Sequence, residues 1–239
     1  MDAYAAWLDR TYLLVKDNLI HLQNKKVAIV GLGGVGGSAA EAICRAGVGS
    51  LLLVDHDVIS ESNINRQLFA TQETIGQSKA LAGKKRLLSI NPQCTIEIWD
   101  AFLCEENKEI FFSYHPDYVI DAIDTLSSKI SLIKNCHEQG IPLISCLGTG
   151  NRLNPAAFCI GTLEDTIGCG CPLARALRRA LKKERISNHP VVYSTESPLK
   201  ATAGTENGRH PPGSISFCPP VAGYLLASYV INDILSHCS

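Results

Sequence analysis

Short apolar runs alternate with amphipathic stretches through the first 150 residues of the chain. The apolar runs have the length of buried strands and cover residues 27–30, 51–54, 95–99, 118–120 and 142–146. The stretches around them repeat apolar residues at helical spacing and cover residues 3–22, 38–46, 77–90, 105–112 and 127–139. Strands that alternate with helices are typical of α/β folds with parallel strands. The pattern therefore predicts a doubly wound, mostly parallel, Rossmann-like sheet.

The pattern changes beyond Gly148. It predicts an antiparallel strand at 158–163, a helix over Pro172–Lys183, a strand at 191–194 and an apolar helix at 219–235. Residues 195–213 are rich in glycine, proline, serine and threonine, which predicts a mobile loop. We interpret residues 1–239 as one domain. Residues 1–150 would be its nucleotide-binding half, and residues 151–239 an antiparallel, substrate-binding extension.

Composition narrows the class of protein. A chain of 239 residues with 46% hydrophobic content is long enough to bury a substantial core. Its net charge is −1, so a nucleic-acid partner would need a local basic patch. Ten cysteines lie mostly within apolar runs, and no signal-peptide pattern opens the chain, so we expect a reduced, cytoplasmic protein. The most apolar segment, 219–235, is interrupted by Asn232 and Asp233, and we expect no membrane insertion.

A glycine-rich turn follows the first predicted strand. Gly31, Gly33 and Gly36 have the spacing GxGxxG, and a predicted helix follows them. This order places backbone N–H groups and a helix N-terminus where a phosphate chain binds. Asp55 ends the next strand, where its carboxylate can accept hydrogen bonds from ribose hydroxyls. The order of these features predicts a nucleotide site, with a purely structural glycine turn as the alternative.

Further polar side chains follow the second and third core strands. Arg66 and Lys79 are suited to a triphosphate, although arginine and lysine in loops are often only solvated. Asp124 ends the strand at 118–120, where it can hold a magnesium ion on phosphates. The alternative for Asp124 is an N-cap of the next helix, a role that Thr125 can also fill.

Five segments in order resemble the ubiquitin-activating-enzyme-like adenylating superfamily, which includes the ThiF, MoeB and HesA proteins. They are Gly31-Leu-Gly-Gly-Val-Gly, Val54-Asp55-His-Asp57, Asn63-Ile-Asn-Arg66-Gln67, Gly76-Gln-Ser-Lys79 and Asp121-Ala-Ile-Asp124. The family often has serine where this chain has Gly37. These enzymes use ATP to turn a carboxylate into an acyl-adenylate, with release of pyrophosphate.

The resemblance implies a role for each matching residue. Catalytic roles fall to Arg66, Lys79, Asp124 and Arg10, the last reaching the γ-phosphate from the other subunit of a homodimer. Asp124 would bind Mg²⁺. The residues expected to bind ATP are Gly31, Gly33, Gly34, Gly36, Asp55, Asp57, Asn63, Arg66, Gln67 and Lys79.

The predicted helix Pro172–Lys183 has one apolar face and one basic face. Leucines at 173, 177 and 181 repeat every four residues, and such a basic helix can track nucleic-acid phosphates, although a solvated surface helix is equally compatible. The candidate nucleic-acid-binding residues of this helix are Arg175, Arg178, Arg179, Lys182 and Lys183.

With Cys171-Pro-Leu-Ala-Arg and Tyr193-Ser-Thr-Glu196, this region resembles the subfamily of tRNA threonylcarbamoyladenosine dehydratases. The resemblance implies ATP-dependent cyclisation of N6-threonylcarbamoyladenosine at position 37 of tRNA through an acyl-adenylate. Cys171 is a candidate nucleophile, with a structural cysteine as the alternative; no paired CxxC supports zinc, and weak metal binding by Cys169 and Cys171 stays open. Glu196 is a candidate for orienting substrate.

Three other functions stay open at this point. The first is adenylation of the C-terminal glycine of a ubiquitin-like sulfur carrier, as in ThiF and MoeB proteins. The second is a non-catalytic dimer partner, and the third an NAD-binding oxidoreductase, whose glycine loop would be similar. A sulfur-transfer protein as a further partner is left open as well.

Overall fold

A computed structural model describes residues 5–200 and 212–237 of the chain. Seven strands form one sheet in the order β3-β2-β1-β4-β5-β7-β6. The strands are β1 Lys26–Val30, β2 Ser50–Val54, β3 Thr95–Trp99, β4 Tyr118–Asp121, β5 Leu143–Cys146, β6 Phe158–Thr162 and β7 Pro190–Ser194. All neighbouring strands are parallel except β6, which pairs antiparallel with β7. The predicted fold class is therefore confirmed.

The strand order creates a crevice at one edge of the sheet. The chain runs from β1 outward to β2 and β3, and then returns to add β4 and β5 on the other side of β1. In such sheets, ligands bind outside the carboxyl ends of the strands at this switch point. The register of β1 aligns Val30 with Val54 on one side and with Asp121 on the other. The segments that leave these three strands therefore meet at one place.

Eight α-helices cover the two faces of the sheet in the described parts of the chain. They are α1 Asp9–Val15, α2 Leu19–Gln23, α3 Gly34–Arg45, α4 Lys79–Leu88, α5 Lys108–Phe112, α6 Leu126–Gln139, α7 Pro172–Lys183 and α8 Cys218–Ser236. One core contains apolar residues of α3 and α8 against Val27 and Ile29, and the other contains Leu132 and Leu177 against Ala28 and Val30. Alternate residues of β1 thus serve opposite cores, as a doubly wound sheet requires. Within 5–200 and 212–237, no helix is long and apolar enough to span a membrane.

The N-terminal segment differs from the helix predicted over 3–22. Two short α-helices and two 3₁₀ turns replace one continuous helix, and Lys16 between them has a positive φ of 51°. Leu8, Leu19 and Leu22 are buried, whereas Trp7, Leu14 and Ile20 are exposed. The single continuous helix predicted over 3–22 was wrong because the backbone breaks at Lys16.

The predicted mobile loop, 195–213, lies partly outside the described residues, which omit 201–211. Its two described ends are tied to a single residue. Leu199 N–H donates to the Asn151 carbonyl at 2.7 Å, and Asn151 N–H donates to the Gly213 carbonyl at 2.7 Å. Gly213 N–H also donates to Asn151 Oδ1 at 2.6 Å. The described ends are therefore fixed in place rather than loose.

A chain of buried polar groups lies beneath the carboxyl edge. The Nζ of Lys129 on α6 donates to Asp121 Oδ2 at 2.6 Å and to the Cys146 carbonyl at 3.1 Å. Ser145 Oγ donates to Asp121 Oδ2 at 2.6 Å and lies 2.9 Å from His189 Nε2. Because the serine proton goes to the carboxylate, His189 must donate from Nε2. The network thus links α6, β4, β5 and the residue before β7.

His189 makes stability depend on pH. Burial, together with the positive charges of Lys129 and His137, lowers the pKa of His189 to about 3 from an ordinary value of 6.5. Between these two values the unfolded chain binds a proton at this side chain and the folded chain does not, so stability falls as pH falls. We expect His189 to lower the free energy of unfolding by about 2–3 kcal/mol between pH 6.5 and pH 4. Urea unfolding of wild type and His189→Gln across this range measures the difference; parallel pH profiles would contradict the assignment.

Candidate nucleotide-binding site

The predicted crevice is a cavity of about 360 Å³ at the carboxyl ends of β1, β2 and β4. Ten of the residues predicted to bind or act on a nucleotide line it. They are Gly31, Gly33, Gly34, Asp55, Asp57, Asn63, Arg66, Gln67, Lys79 and Asp124. The fold therefore brings together residues as far apart in the sequence as Gly31 and Asp124.

The glycines of the turn serve two different purposes. Gly31 has a φ of 89°, and a Cβ there would lie 2.7 Å from the Ala122 carbonyl oxygen. A Cβ on Gly36 would lie 1.7 Å from the Gly31 oxygen, and Gly36 does not line the cavity. A Cβ on Gly33 would meet nothing closer than Gln67 Nε2 at 3.8 Å. Gly31 and Gly36 are thus required by packing, whereas Gly33 keeps space open towards the cavity.

Asp55 is buried at the end of β2 and holds the turn in place. Its Oδ2 accepts from Leu32 N–H at 2.6 Å, and its Oδ1 accepts from Asp57 N–H at 2.9 Å. Each carboxylate oxygen can accept a second hydrogen bond. The carboxylate therefore fixes the glycine loop and can still accept from ligand hydroxyls in the cavity.

The two cations of the cavity are held by neighbouring acceptors. Lys79, buried at the start of α4, places Nζ 2.6 Å from Asp57 Oδ2. Arg66 Nη1 donates to the Ser62 carbonyl at 2.9 Å and to Asn65 Oδ1 at 2.8 Å. Each of the two groups keeps unused N–H donors. Both can therefore bind phosphate oxygens without first giving up these contacts.

Asn63 stabilises the segment that carries Arg66. Its Oδ1 accepts from Ser60 N–H at 3.1 Å, which closes a capping box on the 3₁₀ turn Glu61–Asn63. Arg66 and Gln67 then donate their backbone N–H groups to the Asn63 carbonyl at 3.1 and 2.9 Å. Asn63 thus shapes the backbone as well as lining the cavity.

Asp124 is exposed and lines the cavity just before α6. Its carboxylate makes no hydrogen bond or ion pair within the described ranges 5–200 and 212–237. Thr125 is the N-cap residue of α6, and its side chain makes no capping hydrogen bond. An uncommitted carboxylate beside a phosphate-binding loop fits Mg²⁺, which prefers one or two carboxylates together with phosphate oxygens.

A second acidic group lies across the cavity. Asp55, His56 and Asp57 bring ligand atoms within 4.8 Å of one another. The carboxylate oxygens are already engaged there, at Asp55 by backbone amides and at Asp57 by Lys79. Asp124 therefore fits a cation better than this group does.

One wall of the cavity was not predicted. Ala101, Phe102 and Leu103 follow β3, and Ile123 faces them from the end of β4. The phenyl ring of Phe102 meets the His56 ring edge-on at 5.0 Å. An apolar wall of this kind is suited to a nucleobase. The only sequence signal for it is position, because residues 101–103 leave a core strand at the carboxyl edge.

Three other predicted groups lie away from the cavity. Arg10 is exposed on α1. Cys171 is buried as the N-cap residue of α7, and its Sγ lies 3.2 Å from where a Cβ on Gly148 would be. Glu196 accepts from Leu153 N–H at 3.2 Å and from Asn154 N–H at 3.0 Å, so it holds a loop.

Helix α7 has the predicted two faces, with one exception. Leu177 and Leu181 are buried, and Leu173 is half-buried. Arg178 is also half-buried and donates from Nη1 to Thr166 Oγ1 at 2.7 Å, so it belongs partly to the packing. The exposed basic residues are Arg175, Arg179, Lys182 and Lys183.

Known proteins are similar to this chain over nearly its whole length. A model of the ThiF family matches residues 8–237. The tRNA threonylcarbamoyladenosine dehydratase of Bacillus subtilis is 41% identical over 232 residues, which is 92% of this chain and 91% of that protein. The protein of the same name from Haemophilus influenzae is 33% identical over 238 residues, or 93% of this chain and 90% of that one. The crystal structure of the Escherichia coli dehydratase TcdA in complex with ATP has a TM-score of 0.89 and 29% identity, and covers 100% of this chain and 97% of that chain.

Proposed function

The chain belongs to the ThiF family, and on that premise we propose that it uses ATP to dehydrate N6-threonylcarbamoyladenosine in tRNA. The observation that carries the proposal is the cavity, in which a glycine turn, Arg66, Lys79 and Asp124 meet. The similarity to tRNA threonylcarbamoyladenosine dehydratases spans both the nucleotide-binding half of the chain and the C-terminal extension. A tRNA substrate also fits a cytoplasmic location.

The reaction needs charge stabilisation more than a general base. The threonylcarbamoyl carboxylate is ionised and attacks the α-phosphorus of ATP, which forms a C–O–P bond and breaks the bond to pyrophosphate. An internal nucleophile of the same group then attacks the activated carbonyl, loses a proton and expels AMP. The carboxylate oxygen that joined the phosphorus leaves with AMP, so the nucleoside loses the atoms of one water. Because ATP cleavage drives bond formation, the activity is of the ligase type.

The cavity residues act on the charge that builds up in this attack. Backbone N–H groups of the turn at Gly33 and the N-terminus of α3 would hold phosphate oxygens. Arg66 and Lys79 would stabilise negative charge on the transferring phosphoryl group. Asp55 would accept from the ribose hydroxyls and so fix the position of the α-phosphate.

Asp124 would hold a magnesium ion against the phosphates. Its carboxylate is exposed to the cavity and uncommitted among the described residues, which fits the ligand preference of the ion. The bound ion would supply additional positive charge to the triphosphate. Asp124 itself would fix the position of that charge in the cavity.

We propose a homodimer in which Arg10 reaches the active site of the second copy. Arg10 is exposed on α1 and does not line the cavity of its own chain. Leu13 and Leu14 on the same helix are 69% and 85% exposed, an unusual cost for large apolar side chains in a monomer. A second copy that covers these leucines would place Arg10 at the interface between the two chains.

We propose that the exposed basic face of α7 binds tRNA phosphates. Arg175→Glu together with Arg179→Glu should weaken tRNA binding at least roughly tenfold at low salt and lower the salt slope by about 2. Lys84→Glu with Lys85→Glu on α4 makes the same charge change elsewhere and serves as the control. Filter binding across a salt series measures both quantities. Equal affinities for the two double variants would remove α7 from the interface.

A direct test of the function follows from its product. The protein is incubated with ATP and modified tRNA, and the digested nucleosides are analysed by mass spectrometry. Loss of one water from threonylcarbamoyladenosine, with AMP and pyrophosphate formed, is the expected result. An unchanged nucleoside, or adenylation of a sulfur-carrier protein instead, would overturn the proposal.

A further inference from the structure

Arg152 is a buried arginine whose charge is not matched by an acid. Its side chain lies in the loop after β5 and is 3% exposed. Its Nε donates to the Gly148 carbonyl at 3.2 Å, while Nη1 has no hydrogen-bond partner. Within residues 5–200 and 212–237, no carboxylate forms an ion pair with it. Buried polar groups in folded proteins are rarely left without a partner, which a water, an ion or a ligand can supply where the protein does not.

Glu196, an acid beside this loop, is committed to other donors. Glu196 accepts from the amides of Leu153 and Asn154 and forms no ion pair with Arg152. A buried charge that lacks its partner is strongly unfavourable. An anion that reaches this buried guanidinium would remove the penalty and accept a hydrogen bond from Nη1.

The loop that carries Arg152 is held in a defined shape. Asn151, with a φ of 59°, is bonded to both Leu199 and Gly213, and Cys218 Sγ donates to the Arg152 carbonyl at 3.3 Å. The backbone that carries Arg152 is therefore held on both sides, and the Gly148 carbonyl holds its guanidinium through Nε. Such pre-organisation lowers the entropy lost when a ligand binds.

The strand order separates the loop that carries Arg152 from the cations of the triphosphate cavity. Arg66 and Lys79 follow β2, on one side of the switch point, and they face the triphosphate cavity. Arg152 follows β5, on the other side of the switch point and next to β4, which ends in the segment carrying Asp124. A carboxylate that attacks ATP is repelled by the triphosphate, so it needs a cation of its own.

We propose that Arg152 binds the carboxylate of the acceptor substrate and positions it for attack on the α-phosphate. This inference rests on the proposed function and names the subsite for the second reactant. The substrate carboxylate and a phosphate of the tRNA backbone are both oxyanions. The backbone phosphate is therefore the other group that Arg152 could bind. A guanidinium can hold one carboxylate oxygen and leave the other to attack.

Binding of two matched tRNAs to Arg152→Gln, Arg152→Lys and wild type tests the inference. One tRNA carries threonylcarbamoyladenosine and the other is the same tRNA without the modification. Arg152→Gln should bind the modified tRNA roughly 10- to 100-fold more weakly, with Arg152→Lys in between. Affinity for the unmodified tRNA and for ATP should stay as in wild type. Arg45→Gln, which removes an exposed arginine paired with Glu41, is the control.

Each other outcome has a definite meaning. Unchanged affinity for modified tRNA in folded Arg152 variants would overturn the inference, and an equal loss with unmodified tRNA would assign Arg152 to a backbone phosphate instead. If thermal unfolding shows that Arg152→Gln is not folded, Arg152→Lys, which keeps the charge, decides by the same comparison. Wild-type protein that leaves modified tRNA unchanged would count against the proposed function, whereas normal wild-type turnover with unaffected variants counts against Arg152 alone.

Discussion

Arg66→Ala and Asp124→Asn are each expected to slow ATP-dependent turnover by roughly 100-fold or more while the protein stays folded. Both side chains line the nucleotide cavity. Arg66 would stabilise charge on the transferring phosphoryl group, and Asp124 would hold the magnesium ion. The hydrogen bonds that Arg66 makes to Ser62 and Asn65 lie at the surface, so their loss should cost about 1 kcal/mol or less of stability.

The measurement is pyrophosphate release with modified tRNA, together with thermal unfolding of each variant. Arg45→Ala and Glu138→Gln are the matched controls, since they remove an exposed positive and an exposed negative charge outside the cavity. Asp124→Asn should also lose the response to magnesium concentration. Normal pyrophosphate release by either active-site variant would show that the site residues are wrongly assigned.

Most of the fold could be predicted because it depends on local patterns. Parallel strands buried on both faces leave short apolar runs, and all seven strands begin and end within one residue of the predicted boundaries. Helix α3 begins at Gly34, four residues before the predicted start at 38, because glycines at the turn can also adopt helical geometry. The helix predicted over 3–22 was wrong because the spacing of its apolar residues does not reveal the break at Lys16.

The candidate site was predicted where its residues lie in short motifs at the ends of strands. Asp55, Arg66, Lys79 and Asp124 all follow core strands, so the fold class alone brings them to one edge. At Gly36, packing and not ligand binding determines the residue. Gly36 belongs to the turn by spacing, yet its missing Cβ is required by Gly31 and not by a ligand.

Arg152 and Lys129 could not be predicted from the sequence. A lysine in a polar stretch of a helix is normally read as solvated, and an arginine in a loop likewise. The burial of Lys129 depends on Asp121, which comes from a strand that only the folded chain places beside α6. A pair between the end of a strand and the first turn of the next helix leaves no periodic signal in one sequence.

Lys129→Met is expected to destabilise the protein by about 3–5 kcal/mol. Lys129 and Asp121 have fully buried side chains that meet at 2.6 Å. Removing the ammonium group leaves the Asp121 carboxylate buried with only Ser145 and the Ile123 amide as donors. Methionine keeps most of the volume of lysine, so the loss should come from the uncompensated charge and not from a cavity. Urea unfolding of the variant and wild type measures the difference.

The double variant Lys129→Met with Asp121→Asn separates charge from shape. Asparagine keeps an oxygen for the Ile123 amide, which shapes the turn leading to Asp124, and it removes the unpaired charge. We therefore expect the double variant to be more stable than Lys129→Met alone, since replacing both partners of a buried pair costs less than removing one. Equal destabilisation of the single and double variants would assign the loss to packing around α6. In that case Lys129 and Asp121 would affect the nucleotide cavity only through the positions of the backbone segments that carry them.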